Sequence, residues 1–198
     1  MTNIQDLRKD IAARVTQPVV RLIARTSITP NTITWIGFVL TVVAAVLIYL
    51  RHPFAGGWIV LVAGAFDMLD GALARLTNRI TPFGAALDST LDRLSEAVLL
   101  LAIIGLSVRA DNDLQAMLAG GALVFSFMVS YVRARGEGLG LEMKEGWFTR
   151  TERVIVLALG LLLSMFAPAL PIALGIIVVL SFVTAGQRLF LVWQKTRH

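Results

Sequence analysis

The 198-residue chain lacks cysteine and contains few charged residues. Without cysteine, a disulfide framework, a Cys-ligated zinc site and a thiol nucleophile are all excluded. Charged residues make up 16% of the chain, whereas soluble domains contain about 25%. Hydrophobic residues reach 57% and the mean hydropathy is +0.76, so the composition excludes an ordinary soluble domain.

Long apolar runs recur along the chain, and a run of about 18 residues or more can cross a bilayer core of about 30 Å. We predict an all-α integral membrane protein with six transmembrane helices at about 33–50, 58–75, 84–108, 114–132, 153–166 and 171–193. Thr29, which precedes Pro30, is the predicted N-cap of the first helix. Several glycines after Val132 argue against one continuous helix there: Gly136, Gly138, Gly140 and Gly146.

The N-terminal residues 1–27 carry a different pattern. Apolar side chains recur there at steps of three or four residues, with basic side chains largely between them. This pattern predicts an amphipathic helix in the membrane interface, with a solvated basic arm as the alternative. Residues 28–198 would then form the six-helix transmembrane core, and the whole chain, 1–198, is predicted to be a single domain.

The positive charges are distributed unevenly over the predicted loops. Thirteen Lys and Arg residues fall in the N-terminal arm, the second and fourth loops and the C-terminal tail, against two in the opposite loops. The positive-inside rule therefore predicts a multi-pass protein of the cell inner or plasma membrane with both termini in the cytoplasm. The net charge of +5 is read in the same way, as contact with membrane lipids and not with nucleic acid.

Four aspartates lie in apolar sequence near the predicted cytoplasmic ends of the second and third helices. Asp67 and Asp70 are three residues apart, and Asp88 and Asp92 are four apart, so each pair shares one helix face. Carboxylates are costly at membrane depth, and oxygen ligands suit hard cations such as Mg²⁺ or Mn²⁺. We predict a cytoplasmic di-metal site for phosphoryl transfer, because Arg75 could meet a bound phosphate. A structural cluster neutralised by arginine and a cation transporter are the alternatives.

The residues around these aspartates match a known pattern. Residues 67–75 (DMLDGALAR) and 84–92 (GAALDSTLD) resemble the complete signature of the CDP-alcohol phosphotransferase family, D-x-x-D-G-x-x-A-R followed by G-x-x-x-D-x-x-x-D. The resemblance extends over essentially the whole chain and implies the six-helix fold with an interfacial N-terminal helix. It also implies transfer of a phosphatidyl-type group from a CDP-diacylglycerol-type lipid to an alcohol, with release of CMP.

The resemblance implies specific roles for the motif residues. Asp67, Asp70 and Asp88 would hold two Mg²⁺ or Mn²⁺ ions. Asp92 would complete the ligand set of the second ion and act as general base on the attacking hydroxyl. The implied CDP-lipid contacts are Asn31, Thr32, Ile33, Thr34, Gly71, Ala74, Arg75, Thr81 and Gly84.

Arginines near the ends of the last three predicted helices bear on the acceptor alcohol. Gathered in one pocket they would bind a phosphate through bidentate hydrogen bonds, whereas ordinary interfacial anchors are the alternative. The segments around them resemble bacterial phosphatidylinositol phosphate synthases. The implied acceptor-phosphate ligands are Ser130, Arg133, Arg135, Arg153 and Arg188.

A soluble polyol phosphate is therefore the predicted acceptor. Inositol phosphate is preferred, and glycerol 3-phosphate, which would give phosphatidylglycerol phosphate, remains open. A homodimer is expected because many members of the family are dimers.

Overall fold

The computed structural model describes residues 17–143, 146–166 and 168–197. Within these ranges every regular secondary-structure element is a helix. A short helical segment at 17–23 precedes six longer helices. The longer helices are α1 (Pro30–Tyr49), α2 (Pro53–Leu76), α3 (Pro82–Val108), α4 (Asp113–Gly138), α5 (Arg150–Leu162) and α6 (Ala169–Lys195). Each overlaps one predicted span, and the predicted all-α class is confirmed.

Among the described residues, three helices are long and apolar enough to cross a membrane, namely α1, α4 and α6. Much of their apolar surface is exposed, as lipid contact requires. The helix α5 has 13 residues, fewer than the about 20 that a straight transmembrane helix needs. Residues 1–16 of the predicted interfacial helix lie outside the described residues, so that helix remains a prediction.

Polar side chains determine where several helices begin. The Thr29 hydroxyl accepts a hydrogen bond from the Thr32 amide at 3.3 Å, as expected for the N-cap of α1. The Asn112 side chain accepts one from the Gln115 amide at 3.0 Å at the start of α4. A capping box begins α5, in which the Thr149 amide donates to the Glu152 carboxylate at 2.8 Å.

The fourth helix extends beyond the predicted end near Val132, and it continues through two glycines to Gly138. The predicted interruption is confirmed, since the next helix begins only at Arg150, but the helix ends six residues later than predicted. A Cβ on Gly136 would lie 2.7 Å from Cγ of Met143, which is almost fully buried. The chain after α4 therefore folds back against the helix, and the Leu141 amide donates to the Gly136 carbonyl at 3.0 Å.

The chain divides into two compact units, and the helices α1, α2 and α3 contribute to both. The first unit contains Met1–Leu40, described from residue 17 onward, and Val62–Leu94. Its apolar centre includes Val20, Ile33 and Leu73. The second unit contains Thr41–Leu61 and Ser95–His198.

The second unit has the larger apolar core. Side chains from α1, α3, α5 and α6 meet there, and the fully buried ones include Ile48, Ile103, Leu161 and Leu174. Both α4 and α5 pack against α6. Gly160 of α5 faces Ala173 of α6, and a Cβ on the glycine would lie 2.5 Å from the alanine Cβ. The small residue therefore permits the close approach of these two helices.

Replacement of Gly160 by alanine tests this contact. Because Ala173 has no flexible side chain to move aside, the helix backbones must separate, and we expect a loss of about 1–3 kcal/mol in stability. The measurement is thermal unfolding in detergent. The matched control is Gly175→Ala, because nothing lies within 4 Å of a Cβ there and helix propensity alone favours alanine. Equal melting temperatures for the two variants would contradict the packing account.

Candidate active site

Three of the four predicted aspartates come together in the first unit. Asp67 and Asp70 on α2 and Asp88 on α3 each offer a carboxylate oxygen, and these oxygens lie within 4.8 Å of one another. Asp70 is buried and the other two are partly buried. Like charges at this separation repel one another strongly, the more so away from bulk water. A cation among the three carboxylates would offset that repulsion.

The contacts of Asp70 support a cation ligand. One oxygen of its carboxylate, Oδ1, accepts a hydrogen bond from the Gly71 amide at 2.5 Å. The other oxygen, Oδ2, is buried and has no hydrogen-bond partner among the described residues. Most buried polar atoms are paired, and a divalent cation is a suitable partner for a carboxylate oxygen. The three side chains offer only oxygen ligands, so they fit Mg²⁺ or Mn²⁺.

Asp92 lies outside this group of three. It follows Asp88 by one helical turn on α3, and its Oδ2 lies 3.5 Å from Nη2 of Arg93. Both side chains of this ion pair are largely buried. The roles expected for Asp92, as metal ligand and general base, therefore stay predictions.

A cavity of about 260 Å³ adjoins the carboxylates, and all of its lining belongs to the first unit. Asp70 and Asp88 line it together with the guanidinium-bearing residues Arg75 and Arg79. The volume is near the lower end of typical ligand sites. Carboxylates and arginines on one cavity suit a ligand whose phosphates bind metal ions and guanidinium groups at once.

Most of the predicted CDP-lipid contacts line this cavity: Asn31, Thr34, Gly71, Ala74, Arg75, Thr81 and Gly84. Ile33 and Thr32 do not. Ile33 packs in the apolar cluster with Leu73, and the Thr32 hydroxyl lies 2.9 Å from that of Thr29. Residues 31–34 belong to α1, and positions three apart share a helix face while adjacent ones do not. The helix therefore presents Asn31 and Thr34 to the cavity.

The two motif glycines leave room for polar groups. A Cβ on Gly84 would lie 3.0 Å from the Thr81 hydroxyl and 3.2 Å from Oδ1 of Asn31. A Cβ on Gly71 would lie 3.4 Å from Nη1 of Arg75. The Arg75 guanidinium therefore lies over the turn that also carries Asp70.

Sequence reasoning did not include Arg79 among the ligand contacts. It counted Arg79 as a positive charge for topology and as one of the arginines that would neutralise a structural carboxylate cluster. Asn78 adopts a left-handed conformation with φ of 51°, and the Arg79 amide donates to the Ala74 carbonyl at 3.0 Å. This turn ends α2 and places Arg79 on the cavity. The available signal was its position in the short loop between the two halves of the motif.

Two of the arginines predicted to bind the acceptor are buried in the second unit. Arg153 is 2% exposed, and it donates to both oxygens of Glu96, from Nε at 2.6 Å and from Nη2 at 3.0 Å. Arg188 is 4% exposed, and its Nη1 donates to the Val129 carbonyl at 2.8 Å. Buried guanidinium groups are not interfacial anchors, so the alternative reading of these two arginines is not supported.

The other predicted acceptor ligands have different surroundings. Arg133 is exposed and pairs with Glu137 at 2.8 Å across one helical turn, and Arg135 is exposed as well. The Ser130 hydroxyl donates to the Ser126 carbonyl at 3.3 Å. Glu96 was missed by sequence reasoning, although an acidic residue four positions after Asp92 in apolar sequence was an available signal.

Known proteins resemble the chain over nearly its full length. It is 37% identical to the phosphatidylinositol phosphate synthase of Mycobacterium marinum, covering 98% of this chain and 86% of the relative. It is 39% identical to the archaetidylinositol phosphate synthase of Pyrococcus horikoshii, covering 91% and 93%.

Crystal structures of the phosphatidylinositol phosphate synthase of Mycobacterium tuberculosis have a similar fold. The form with CDP-DAG bound gives a TM-score of 0.82 at 35% identity, covering 91% of this chain and 94% of that chain. The form in complex with manganese and citrate gives 0.82 at 35% identity, covering 90% and 88%. The signature motif and residues 27–186 match one family, and the apolar helices agree with a membrane enzyme. The chain belongs to the CDP-alcohol phosphatidyltransferase family.

Proposed function

We propose that this protein transfers a phosphatidyl group from a CDP-diacylglycerol-type lipid to inositol phosphate, forming phosphatidylinositol phosphate and CMP. The observation that carries this proposal is the group of three facing carboxylates beside a cavity lined by Arg75 and Arg79. The similar proteins from a bacterium and an archaeon are a phosphatidylinositol phosphate synthase and an archaetidylinositol phosphate synthase. That agreement favours inositol phosphate over glycerol 3-phosphate as the acceptor.

The metal ligands in this proposal are Asp67, Asp70 and Asp88, with Asp92 on the second of two ions. Bound Mg²⁺ or Mn²⁺ would neutralise the negative charge of the diphosphate and of the departing CMP. The buried oxygen of Asp70 that lacks a partner supports this role. Asp67, Asp88 and Asp92 supply the other three negative charges that balance two divalent ions.

The CDP-lipid binds in the cavity of the first unit. Arg75 and Arg79 donate hydrogen bonds to diphosphate oxygens, which are the strong acceptors for guanidinium groups. Thr81 and Asn31 offer further polar contacts. The missing side chain at Gly84 lets the ligand approach both, since a Cβ there would crowd their oxygens.

The proposed reaction forms one bond to phosphorus and breaks another. The carboxylate of Asp92 accepts the proton of the acceptor hydroxyl. The hydroxyl oxygen then forms a bond to the phosphorus that carries the diacylglycerol, and the bond from that phosphorus to the CMP oxygen breaks. A well-placed general base contributes about 10²–10⁴-fold to such a step.

For the acceptor we propose the phosphate ligands Arg153 and Arg188, together with Ser130, Arg133 and Arg135. The first two are buried guanidinium groups, and guanidinium groups bind phosphate through charge-assisted hydrogen bonds. Serine and free inositol lack the phosphate that these donors would bind.

The membrane arrangement is part of the same proposal. The six helices would all cross the membrane, the N-terminal segment 1–27 would lie in its interface, and the chain would form one domain, 1–198. Both termini and the active site would face the cytoplasm in the cell inner or plasma membrane. This orientation is proposed because the N-terminal arm, the second and fourth loops and the C-terminal tail hold thirteen basic residues, whereas the opposite loops hold two. Membrane lipids would surround a homodimer.

The exchange Asp70→Asn tests the carboxylate site. It removes the charge of the buried carboxylate while it preserves the side-chain size, and we expect CMP release to fall by about 10²-fold or more. The assay contains purified protein, CDP-diacylglycerol, inositol phosphate and Mn²⁺ or Mg²⁺. The matched control is Asp113→Asn on an exposed residue, which should keep wild-type activity. Wild-type activity of Asp70→Asn would contradict the proposed metal site.

An acceptor panel tests the substrate. The wild-type protein should release CMP with inositol phosphate at a rate at least about tenfold above that with glycerol 3-phosphate, serine or free inositol. Faster release with glycerol 3-phosphate would overturn the proposed acceptor. No release with any polyol phosphate, combined with metal uptake into liposomes, would favour a cation transporter and contradict the enzyme.

A further inference from the structure

The pair formed by Glu96 and Arg153 leaves one part of the guanidinium without a protein partner. The carboxylate accepts hydrogen bonds from Nε and Nη2. The third nitrogen, Nη1, is buried and has no hydrogen-bond partner among the described residues. Both side chains are at least nine-tenths buried. One edge of the guanidinium is thus fixed by a carboxylate while two N–H groups on Nη1 remain available.

Stability of the fold does not explain this arrangement. Buried ion pairs are often no better for stability than apolar side chains of the same volume. Buried donors that lack an acceptor are rare because they lose their hydrogen bonds to water. Two apolar residues would avoid both costs in this helical core, so the pair and its free donor point to a ligand.

We propose that Glu96 is a positioning residue for the acceptor, which holds Arg153 so that Nη1 is directed to the phosphate of inositol phosphate. This inference rests on the proposed function. Arginine donates in a planar fork, and the two hydrogen bonds to Glu96 define the plane and the rotation of that fork. A donor held in place before binding loses less conformational freedom when the phosphate arrives.

The backbone of Arg153 is held as well. Its amide donates to the Thr149 carbonyl at 3.2 Å, inside the capping box that Thr149 forms with Glu152. The start of α5 is therefore well defined, and Glu96 then fixes the far end of the arginine side chain. Together these contacts leave the guanidinium with little freedom.

Positioning and simple electrostatics predict opposite results for the exchange Glu96→Gln. Removal of the negative charge leaves Arg153 without a counter-ion, so electrostatic attraction alone would strengthen phosphate binding and lower the KM for inositol phosphate. Loss of the second acceptor oxygen releases the guanidinium from its fixed orientation, so positioning predicts a higher KM. The sign of the change separates the two effects.

The experiment measures KM for inositol phosphate, KM for CDP-diacylglycerol and kcat, by CMP release from the full chain in detergent. For Glu96→Gln we expect the KM for inositol phosphate to rise about tenfold or more, with less than about a threefold change in the KM for CDP-diacylglycerol. Glu96→Asp keeps the charge and shortens the side chain, so it should recover part of the loss. The control Asp113→Asn makes the same carboxylate-to-amide change on an exposed residue and should alter neither KM.

An unchanged or lower KM for inositol phosphate in Glu96→Gln would overturn the inference. A lower kcat together with a rise in both KM values and a lower melting temperature would also overturn it, because that pattern indicates a purely structural role. If Glu96→Gln does not fold, the same comparison is made with Glu96→Asp, for which a selective rise in the KM for inositol phosphate is expected. Failure of the wild-type protein to use inositol phosphate would instead refute the proposed function.

Discussion

Mutual repulsion among Asp67, Asp70 and Asp88 is the constraint on which the candidate active site depends. The fold brings three carboxylates within 4.8 Å of one another on helices of largely apolar sequence, where charge is poorly solvated. A divalent cation bound there would relieve this repulsion and would give the buried oxygen of Asp70 a partner. The flanking features are consistent with such a site, because Gly71 makes room for Arg75 and the turn at Asn78 places a second arginine, Arg79, on the same cavity.

The acidic centre was predictable from spacing alone, because residues three or four apart on a helix share a face. That rule places Asp67 and Asp70 on one face, although the structure groups them with Asp88 and leaves Asp92 outside. It also explains why Thr32 and Ile33 do not line the cavity. The prediction that residues 31–34 form one contiguous binding segment did not take account of the helix to which they belong. The helix turns Ile33 into the apolar cluster with Val20 and Leu73.

Other features depend on contacts that no local pattern reveals. Glu96 and Arg153 are 57 positions apart, so only the packing of α3 and α5 in the second unit brings them together. The packing of Met143 against Gly136 at the end of α4 is a contact that composition alone does not reveal. The position of Arg79 on the cavity depends on the left-handed conformation of Asn78, and a hydropathy pattern does not predict that turn.

The most direct test of the central claim is to locate the metal. Crystals of the full chain grown with Mn²⁺ and measured at the manganese absorption edge would give anomalous difference density at the bound ions. The account predicts the strongest peak at bonding distance from oxygens of Asp67, Asp70 and Asp88, about 2.0–2.3 Å away. Manganese bound elsewhere with this carboxylate group lacking any peak would contradict it.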